Sequence, residues 1–307
     1  MNDSRTTVAL IVFNRPEMTR RVFAAVARAR PARLFLIADG PRADRSGEAA
    51  RCEEVRRIVS AVDWPCQAET NFSSENLGCR RRVISGLNWV FSKAEEAIIL
   101  EDDCLPDPSF FPYCWELLER YRNQNQIGFI AGFNPLEKSF PFNYSYYYTV
   151  MTPIWGWAVW RRAWQEYDES MRSWPLVKEA GLLHLLFPDK RVVAYWSKVF
   201  DSMYLGTGPN TWDYQWTYTC WTRNWLNILP ARNLIQNIGV GGDATHPQTS
   251  DPDLTLPAGS LSFPLEHPHA ITAWPEHAEQ LQKRFFIPGI HAKIRRKLRT
   301  RFHSTSK

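Results

Sequence analysis

The chain has 307 residues, 44% of them apolar and 22% charged. That is an ordinary globular composition, long enough for one large domain or two modest ones. Its net charge of +5 is concentrated, because residues 291–307 carry seven Lys/Arg (Lys293, Arg295, Arg296, Lys297, Arg299, Arg301, Lys307) and no acid; the body before them is close to neutral, which excludes a broad basic face for nucleic acid. No run approaches the roughly 18 apolar residues of a membrane-spanning helix, and the six cysteines form no CxxC pair.

In chain order, Thr7–Phe13 (TVALIVF) is a continuous apolar run of strand length, the pattern of a strand covered on both faces. It reads as a first strand rather than an export signal, so the cysteines are expected to be reduced thiols in a cytoplasmic protein. Asn14 is placed to cap a helix with Pro16 in its first turn and Met18, Val22, Val26 and Ala29 on its apolar side. Arg33–Ala38 (RLFLIA) is a second strand ending at Asp39-Gly40-Pro41, followed by a helix through Val55, Val59 and Val62. Cys66–Phe72 is a weaker strand, and Val83, Leu87, Val90 and Phe91 mark a third helix. Ala97–Leu100 (AIIL) is a well-bounded strand that runs straight into Glu101-Asp102-Asp103. A fourth helix through Phe110, Cys114, Leu117 and Tyr121, then a strand at Ile127–Ala131, complete the alternation. This rhythm predicts an α/β fold of Rossmann-like type, with a mainly parallel central sheet flanked by helices.

The rhythm breaks after residue 133. Residues 134–250 hold most of the 14 Trp, with strand-like pieces at Tyr146–Val150 and Trp157–Trp160 and helices near 161–167, 177–186 and 213–223. Residues 251–290 are proline-rich and predict an extended wrap over the domain surface. The expected organisation is one domain over 1–250, in halves 1–133 and 134–250, and a C-terminal extension over 251–307 that is first proline-rich and then basic. The basic tail could touch anionic lipid headgroups, each Lys/Arg adding on the order of 1 kcal/mol near the surface, which would make the protein peripheral at the inner membrane. Alternatively it is a frayed, solubilising terminus.

Ligands of open parallel sheets bind beyond the carboxyl ends of the strands, and three polar clusters lie at such ends: Asn14-Arg15, Asp39-Gly40-Pro41-Arg42 and Glu101-Asp102-Asp103. Crowded carboxylates repel one another, so the acidic triplet is a candidate site for Mn²⁺ or Mg²⁺, which take oxygen ligands together with substrate phosphates. The competing reading is a solvated acidic turn before a helix. Asp39 could accept a hydrogen bond from a nucleobase or ribose and Arg15 could reach a phosphate, while Asp39-Gly40-Pro41 also reads as a plain turn. Asp213, flanked by Trp212 and Trp216, is a candidate general base or else a helix cap. Trp155-Gly156-Trp157 could offer ring faces to a sugar with close backbone approach at the glycine, or could pack in the core. His246, after a glycine-rich turn, is a candidate additional metal ligand.

Together these residues resemble a known group. The stretch NLGCRRRVISGLNWVFSKAEEAIILEDDCLPDPSFF, Asn76 through Phe111, is similar to the core of GT-A type glycosyltransferases, and most similar to bacterial members related to the N-acetylglucosaminyltransferases that extend protein-linked mannose. The similarity runs over roughly residues 6–246. It implies a GT-A fold with a nucleotide-sugar-binding half (1–133) and an aromatic-rich acceptor-binding half (134–250). It also implies Asp103 as direct metal ligand, with Glu101 and Asp102 near the ribose and donor sugar. Arg15 and Asp39 would hold the base and phosphates, helped by Arg80. Asp213 would be the base that deprotonates an acceptor hydroxyl, inverting the anomeric centre, and Trp155, Gly156, Trp157 and Trp212 would line the acceptor or sugar site. The implied substrates are a UDP-linked sugar and a glycan or lipid-linked glycan. Two features depart from the pattern: Asp213 is single where some relatives carry an acidic pair, and the extension after residue 250 has no counterpart. A sugar nucleotidyltransferase should carry a glycine- and Lys/Arg-rich loop after the first strand, where this chain has Asn14-Arg15-Pro16. A non-catalytic carbohydrate-binding protein would have no use for the triplet.

Overall fold

Strands form where the apolar runs lie, and their ends set the site. A computed structural model describes residues 7–137, 143–239 and 256–286. In chain order the elements are β1 (Thr7–Val12), α1 (Pro16–Ala29), β2 (Arg33–Ala38), α2 (Glu48–Ser60), β3 (Gln67–Phe72), α3 (Gly78–Phe91), β4 (Glu96–Glu101), β5 (Cys104–Pro106), α4 (Phe110–Arg120), β6 (Ile127–Ala131), β7 (Tyr146–Thr149) and β8 (Trp157–Trp160). There follow α5 (Arg161–Trp164), α6 (Trp174–Glu179), α7 (Leu182–Leu186), α8 (Lys190–Tyr204), α9 (Asp213–Thr222), β9 (Leu226–Pro230), β10 (Ile235–Asn237) and α10 (Pro275–Leu281), which runs into a π-helical turn at Gln282–Phe286.

Eight strands make one sheet in the order β3-β2-β1-β4-β8-β6-β9-β7. β1 pairs parallel with β2 and β4, β2 with β3, and β6 with β9. β8 lies antiparallel between β4 and β6, and β7 antiparallel beside β9. The fold is therefore α/β with a mainly parallel central sheet, as the alternation predicts. All six residues of β1 are buried. Val8, Leu10 and Val12 join Val22, Val26, Val55, Val59 and Leu117 from α1, α2 and α4 in one apolar cluster. Against the opposite face, Gly86 of α3 lies so close to Ile37 that a Cβ there would come within 2.8 Å of its Cγ2. Helices on both faces are why β1, β2 and β4 read as unbroken apolar runs.

Several local expectations change. Asn14 does not cap α1; the cap residue is Arg15, without a side-chain hydrogen bond, and the Asn14 amide donates instead to Glu48 at 2.7 Å. The expected helix over 177–186 is two short helices, α6 and α7, broken at Gly181 (φ +75°). α8 went unforeseen, although Asp189 caps it by accepting from the Arg191 N–H at 2.8 Å and Val192, Val193, Trp196, Phe200 and Met203 form its buried side.

Two compact units divide the chain. One comprises Met1–Glu169 with Asn210–Ala273 and contains the sheet. Within it the tryptophans are core: Trp157 stacks on Trp212 at 5.4 Å, and Trp164, Trp216 and Phe129 surround them. Residues 256–273 run over this unit without helix, held where Asn233 donates to the Leu256 and Pro257 carbonyls and where Tyr146 meets His267 at 2.9 Å. The other unit comprises Ser170–Pro209 with Trp274–Lys307 and is helical in its described part, Trp196 donating to Gln282 at 3.0 Å. Among the described residues no helix is long and apolar enough to cross a membrane.

Candidate active site at the carboxyl edge of the sheet

Strand register brings the three polar clusters level. Val12 stands opposite Ala38, and Ile11 opposite Glu101, so β1, β2 and β4 end together and release Asn14-Arg15, Asp39 and Asp102-Asp103 at one edge. The Phe13 N–H donates to Asp102 at 3.1 Å, and the Asp39 N–H to the Val12 carbonyl at 3.2 Å. Asp102 and Asp103 form the tight turn between β4 and β5. Because β5 pairs with β10, the Ile238 N–H reaches the Asp103 carbonyl at 2.8 Å and Gly239 lies directly against the Asp103 side chain, where a Cβ would come within 2.5 Å of Oδ2.

Arg15 is the cation of this edge. It donates to Asp103 at 3.0 Å and to Asp102 at 3.5 Å. Burial works against its charge, but the carboxylates of Asp102 and Asp103, with Glu101 behind them, outweigh that and raise its proton affinity. The proton affinities of Glu101 and Asp102 rise as well, to well above the usual carboxylate range. Burial is the larger cause in both, then Asp103, and for Glu101 also Asp102 and Asp213. One guanidinium therefore bridges two aspartates at a poorly hydrated turn, with Glu101 in electrostatic reach.

Asp39 has another task. Oδ1 accepts from the Gly40 and Leu77 N–H groups, each at 2.9 Å, and Oδ2 from the Gly78 N–H and the Asn76 amide, each at 3.0 Å. Both oxygens are thus committed to fixing the start of α3, which leaves no free lone-pair direction aimed at a base or ribose. Arg80, two residues into that helix, is tied to Glu169 by a 2.9 Å bond to its carbonyl and a 3.4 Å ion pair.

Asp213 opens α9. Its Oδ1 accepts from the Thr211 hydroxyl and from the Tyr214 N–H at 3.0 Å, while Oδ2 has no hydrogen-bond partner among the described residues. Asp213 lies within electrostatic reach of Glu101, and both act on Cys79. Cys79 is exposed, and its thiol is pushed up to about 12, by partial desolvation first and then by Glu101, Asp213, Asp103 and Asp39. Asp39, Glu101, Asp103 and Asp213 are thereby all within electrostatic reach of Cys79.

The aromatic expectations divide. Trp157 and Trp212 are 1% and 2% exposed and stack on each other, so neither presents a face to a sugar; their bulk instead braces the first turn of α9. Gly156 is required by its φ of +59° and by Ile235, whose Cδ1 would lie 2.4 Å from a Cβ, rather than by a ligand. Trp155 alone of the four is half-buried with free surface, packing on Phe133 at 4.5 Å. His246 lies outside the described residues. Cys79, Asn210 (which accepts from the Arg80 N–H at 3.4 Å) and Gly239 were not foreseen; Asn76-Leu77-Gly78 precede Cys79 in sequence, but nothing in the sequence ties Asn210 or Gly239 to positions more than 100 residues away.

No family model matches the chain, and no curated protein does. Among solved structures it is similar to the mannosyltransferase PcManGT from Pyrobaculum calidifontis in complex with GDP-Man and Mn²⁺, with a TM-score of 0.34 and 14% identity over 58% of this chain. The chain covers 47% of that protein, about half its length. So loose a likeness leaves the reading of the site to the residues themselves.

A cation at this edge would find oxygen donors of the kind that Mn²⁺ and Mg²⁺ take. Among the described residues no three His, Cys, Asp or Glu side chains converge as a ready cage, because Asp102 is turned to the Phe13 N–H and Arg15 bridges the two aspartates. One carboxylate completed by substrate phosphates and water is the arrangement that fits, and it is an ordinary one for these ions.

Proposed function

We propose that the chain is a metal-dependent glycosyltransferase that moves a sugar from a nucleotide-sugar donor, UDP-linked, to a hydroxyl of a glycan or lipid-linked glycan with inversion. What supports the reading is two acidic groups in electrostatic reach of one another: the carboxylate turn at the end of β4, and Asp213, whose Oδ2 has no hydrogen-bond partner among the described residues. The first suits the diphosphate side of a nucleotide-sugar, the second an acceptor hydroxyl. Asp103, with His246, would hold Mn²⁺ or Mg²⁺, which when bound offsets charge on the departing diphosphate.

The rest of the reaction belongs to the chain's own side chains. Asp213 Oδ2 takes the proton of the acceptor hydroxyl as its oxygen attacks the anomeric carbon. The bond from that carbon to the phosphate oxygen breaks, and the electron pair leaves with the nucleoside diphosphate. Thr211 and the Tyr214 N–H hold Oδ1 and so aim Oδ2. Arg15 turns toward the phosphates, Glu101 and Asp102 toward ribose and donor sugar, and Trp155 offers its ring to a sugar face. Asp39 and Arg80 serve the site at one remove by fixing the start of α3. Residues 1–133 act as the donor half and 134–250 as the acceptor half.

A thermal-shift screen of nucleotide-sugars with and without Mn²⁺ tests the reading, since a donor at a hundred times its Kd stabilises by about 2.7 kcal/mol. Asp103→Ala is expected to abolish metal-dependent nucleotide binding and turnover. Asp213→Ala should keep donor binding and lose transfer by roughly 10²–10⁴-fold. Parental turnover in Asp213→Ala refutes the base, and indifference of the parent to every nucleotide and to Mn²⁺ refutes the enzyme.

A further inference from the structure

The positive charge of this protein belongs to one of its two units. The described residues of that unit, 170–209 with 274–286, contain 7 Lys/Arg against 5 Asp/Glu, and residues 287–307 after them add seven Lys/Arg and no acid, whereas the sheet-bearing unit contains 23 against 27, a net of −4. The same helical unit holds four of the six large apolar side chains that stand exposed among the described residues: Leu185 at 82%, Leu176 at 71%, Leu205 at 69% and Tyr204 at 43%. They lie on or at the end of α6, α7 and α8, which pack through Trp174, Phe200 and the bond from Trp174 to Asp201 at 2.9 Å. Lys178, two residues from Leu176, is held at Asp201 by bonds of 2.8 Å. From Phe286 the chain continues into residues 291–307, with seven Lys/Arg and no acid.

We propose that this helical unit is a membrane-surface module whose partner is an anionic phospholipid bilayer, with Leu176, Leu185 and Leu205 entering the interface and the basic chain beyond Phe286 neutralising headgroups. The two features are complementary to the two layers of such a surface. Aliphatic side chains leave water for the acyl boundary, and Lys/Arg are drawn to negative headgroups within a Debye length. Nucleic acid would use the charge but not the leucines, since bases stack on aromatic rings rather than on exposed aliphatic tips. The proposal stands on this unit's charge and exposure and is independent of the transfer reaction, so its outcome is separate from that of the nucleotide screen.

Vesicle flotation of the full chain tests it, comparing phosphatidylcholine alone with phosphatidylcholine containing about 30% phosphatidylglycerol. The parent is expected to float with the anionic vesicles only, and to be released by about 0.5 M NaCl. The triple variant Leu176→Ser/Leu185→Ser/Leu205→Ser should bind roughly tenfold or more weakly with its circular dichroism unchanged, and Leu185→Asp alone, at the most exposed of the three sites, should weaken binding in the same direction. Arg295→Glu/Arg296→Glu/Lys297→Glu should also release the chain. Anionic-vesicle binding that survives loss of the leucines makes the contact a tail adsorbed by charge alone and overturns the proposal. So does a parent that ignores vesicles but binds polyuridylate, or one whose leucines instead mediate a concentration-dependent dimer in sedimentation.

Discussion

Asp39 offers a perturbation whose size follows from geometry. Its carboxylate accepts four hydrogen bonds, two on each oxygen, from Gly40, Leu77, Gly78 and the Asn76 amide. A hydrogen bond to a charged group contributes about 1.5–3 kcal/mol net, and the donors left behind lose more if they stay dry. Asp39 is 6% exposed, so water can replace part of the loss in Asp39→Ala, and about 4 kcal/mol is expected rather than the full sum. Asp39→Asn is sharper. Its carbonyl can keep the Gly40 and Leu77 N–H groups, but its amide then points donors at the Gly78 N–H and the Asn76 amide, for a cost of about 3 kcal/mol. Urea unfolding followed by tryptophan fluorescence, on the protein without nucleotide, reads both; a Tm lowered by roughly 10 °C should accompany Asp39→Ala. Nucleotide affinity, measured well below that Tm, should fall in both variants in step with the loosening of α3. An Asp39→Ala protein within about 1 kcal/mol of the parent but unable to bind nucleotide would refute the positioning role and restore a direct contact.

Other expectations follow from the same geometry. Glu48 is buried with Arg42 and Asn14 on its carboxylate, and the Arg42 hydrogen bond, more than burial opposes it, lowers its pKa to about 2 from an ordinary 4.5. The folded state thus binds that proton more weakly, so the contribution is full above about pH 5 and is lost as pH falls toward 2; it is roughly 2 kcal/mol, reduced because Arg42 is 43% exposed. Glu48→Gln should be less stable than the parent at pH 7 and indistinguishable from it near pH 2, and a gap independent of pH would refute the pairing. Gly156→Ala forces a left-handed residue and a 2.4 Å approach to Ile235, and should cost about 2–4 kcal/mol, part of it recovered with Ile235→Val; an unchanged urea midpoint would refute it. Tyr146→Phe removes the hydroxyl shared by Tyr121 and His267 and should cost about 1–2 kcal/mol and speed proteolysis within 256–273. Parental cleavage kinetics would show that this bond does not hold the segment.

Residues 7–131 were legible because their rules are local. Apolar runs such as Thr7–Val12 and Arg33–Ala38 declare strands buried on both faces, and a polar residue directly after such a run falls at a strand end whatever lies elsewhere. Arg15 and the Glu101-Asp102-Asp103 turn were therefore placed at one edge from sequence, and the register of β1 with β2 and β4 makes them neighbours. The aromatic-rich stretch after residue 133 obeys no such rule. Trp157 and Trp212 carry rings equally suited to a sugar face or to a core, and only their mutual stacking, 55 positions apart in the chain, decides for the core. β5 and β10 are three residues each, too short for any period, and exist because each completes the other.

What the sequence by itself determined is the class of fold, the β1–β4 framework, the acidic turn and the uneven charge, since each depends on residues near one another in the chain or on composition alone. Tertiary structure alone decided that Asp39 spends both oxygens on α3, that Gly239 and Asn210 press on residues far upstream, and that Asp213 comes within reach of Glu101. Those are facts of long-range packing. Periodicity reports which side of an element faces inward, but not which distant side chain it meets there.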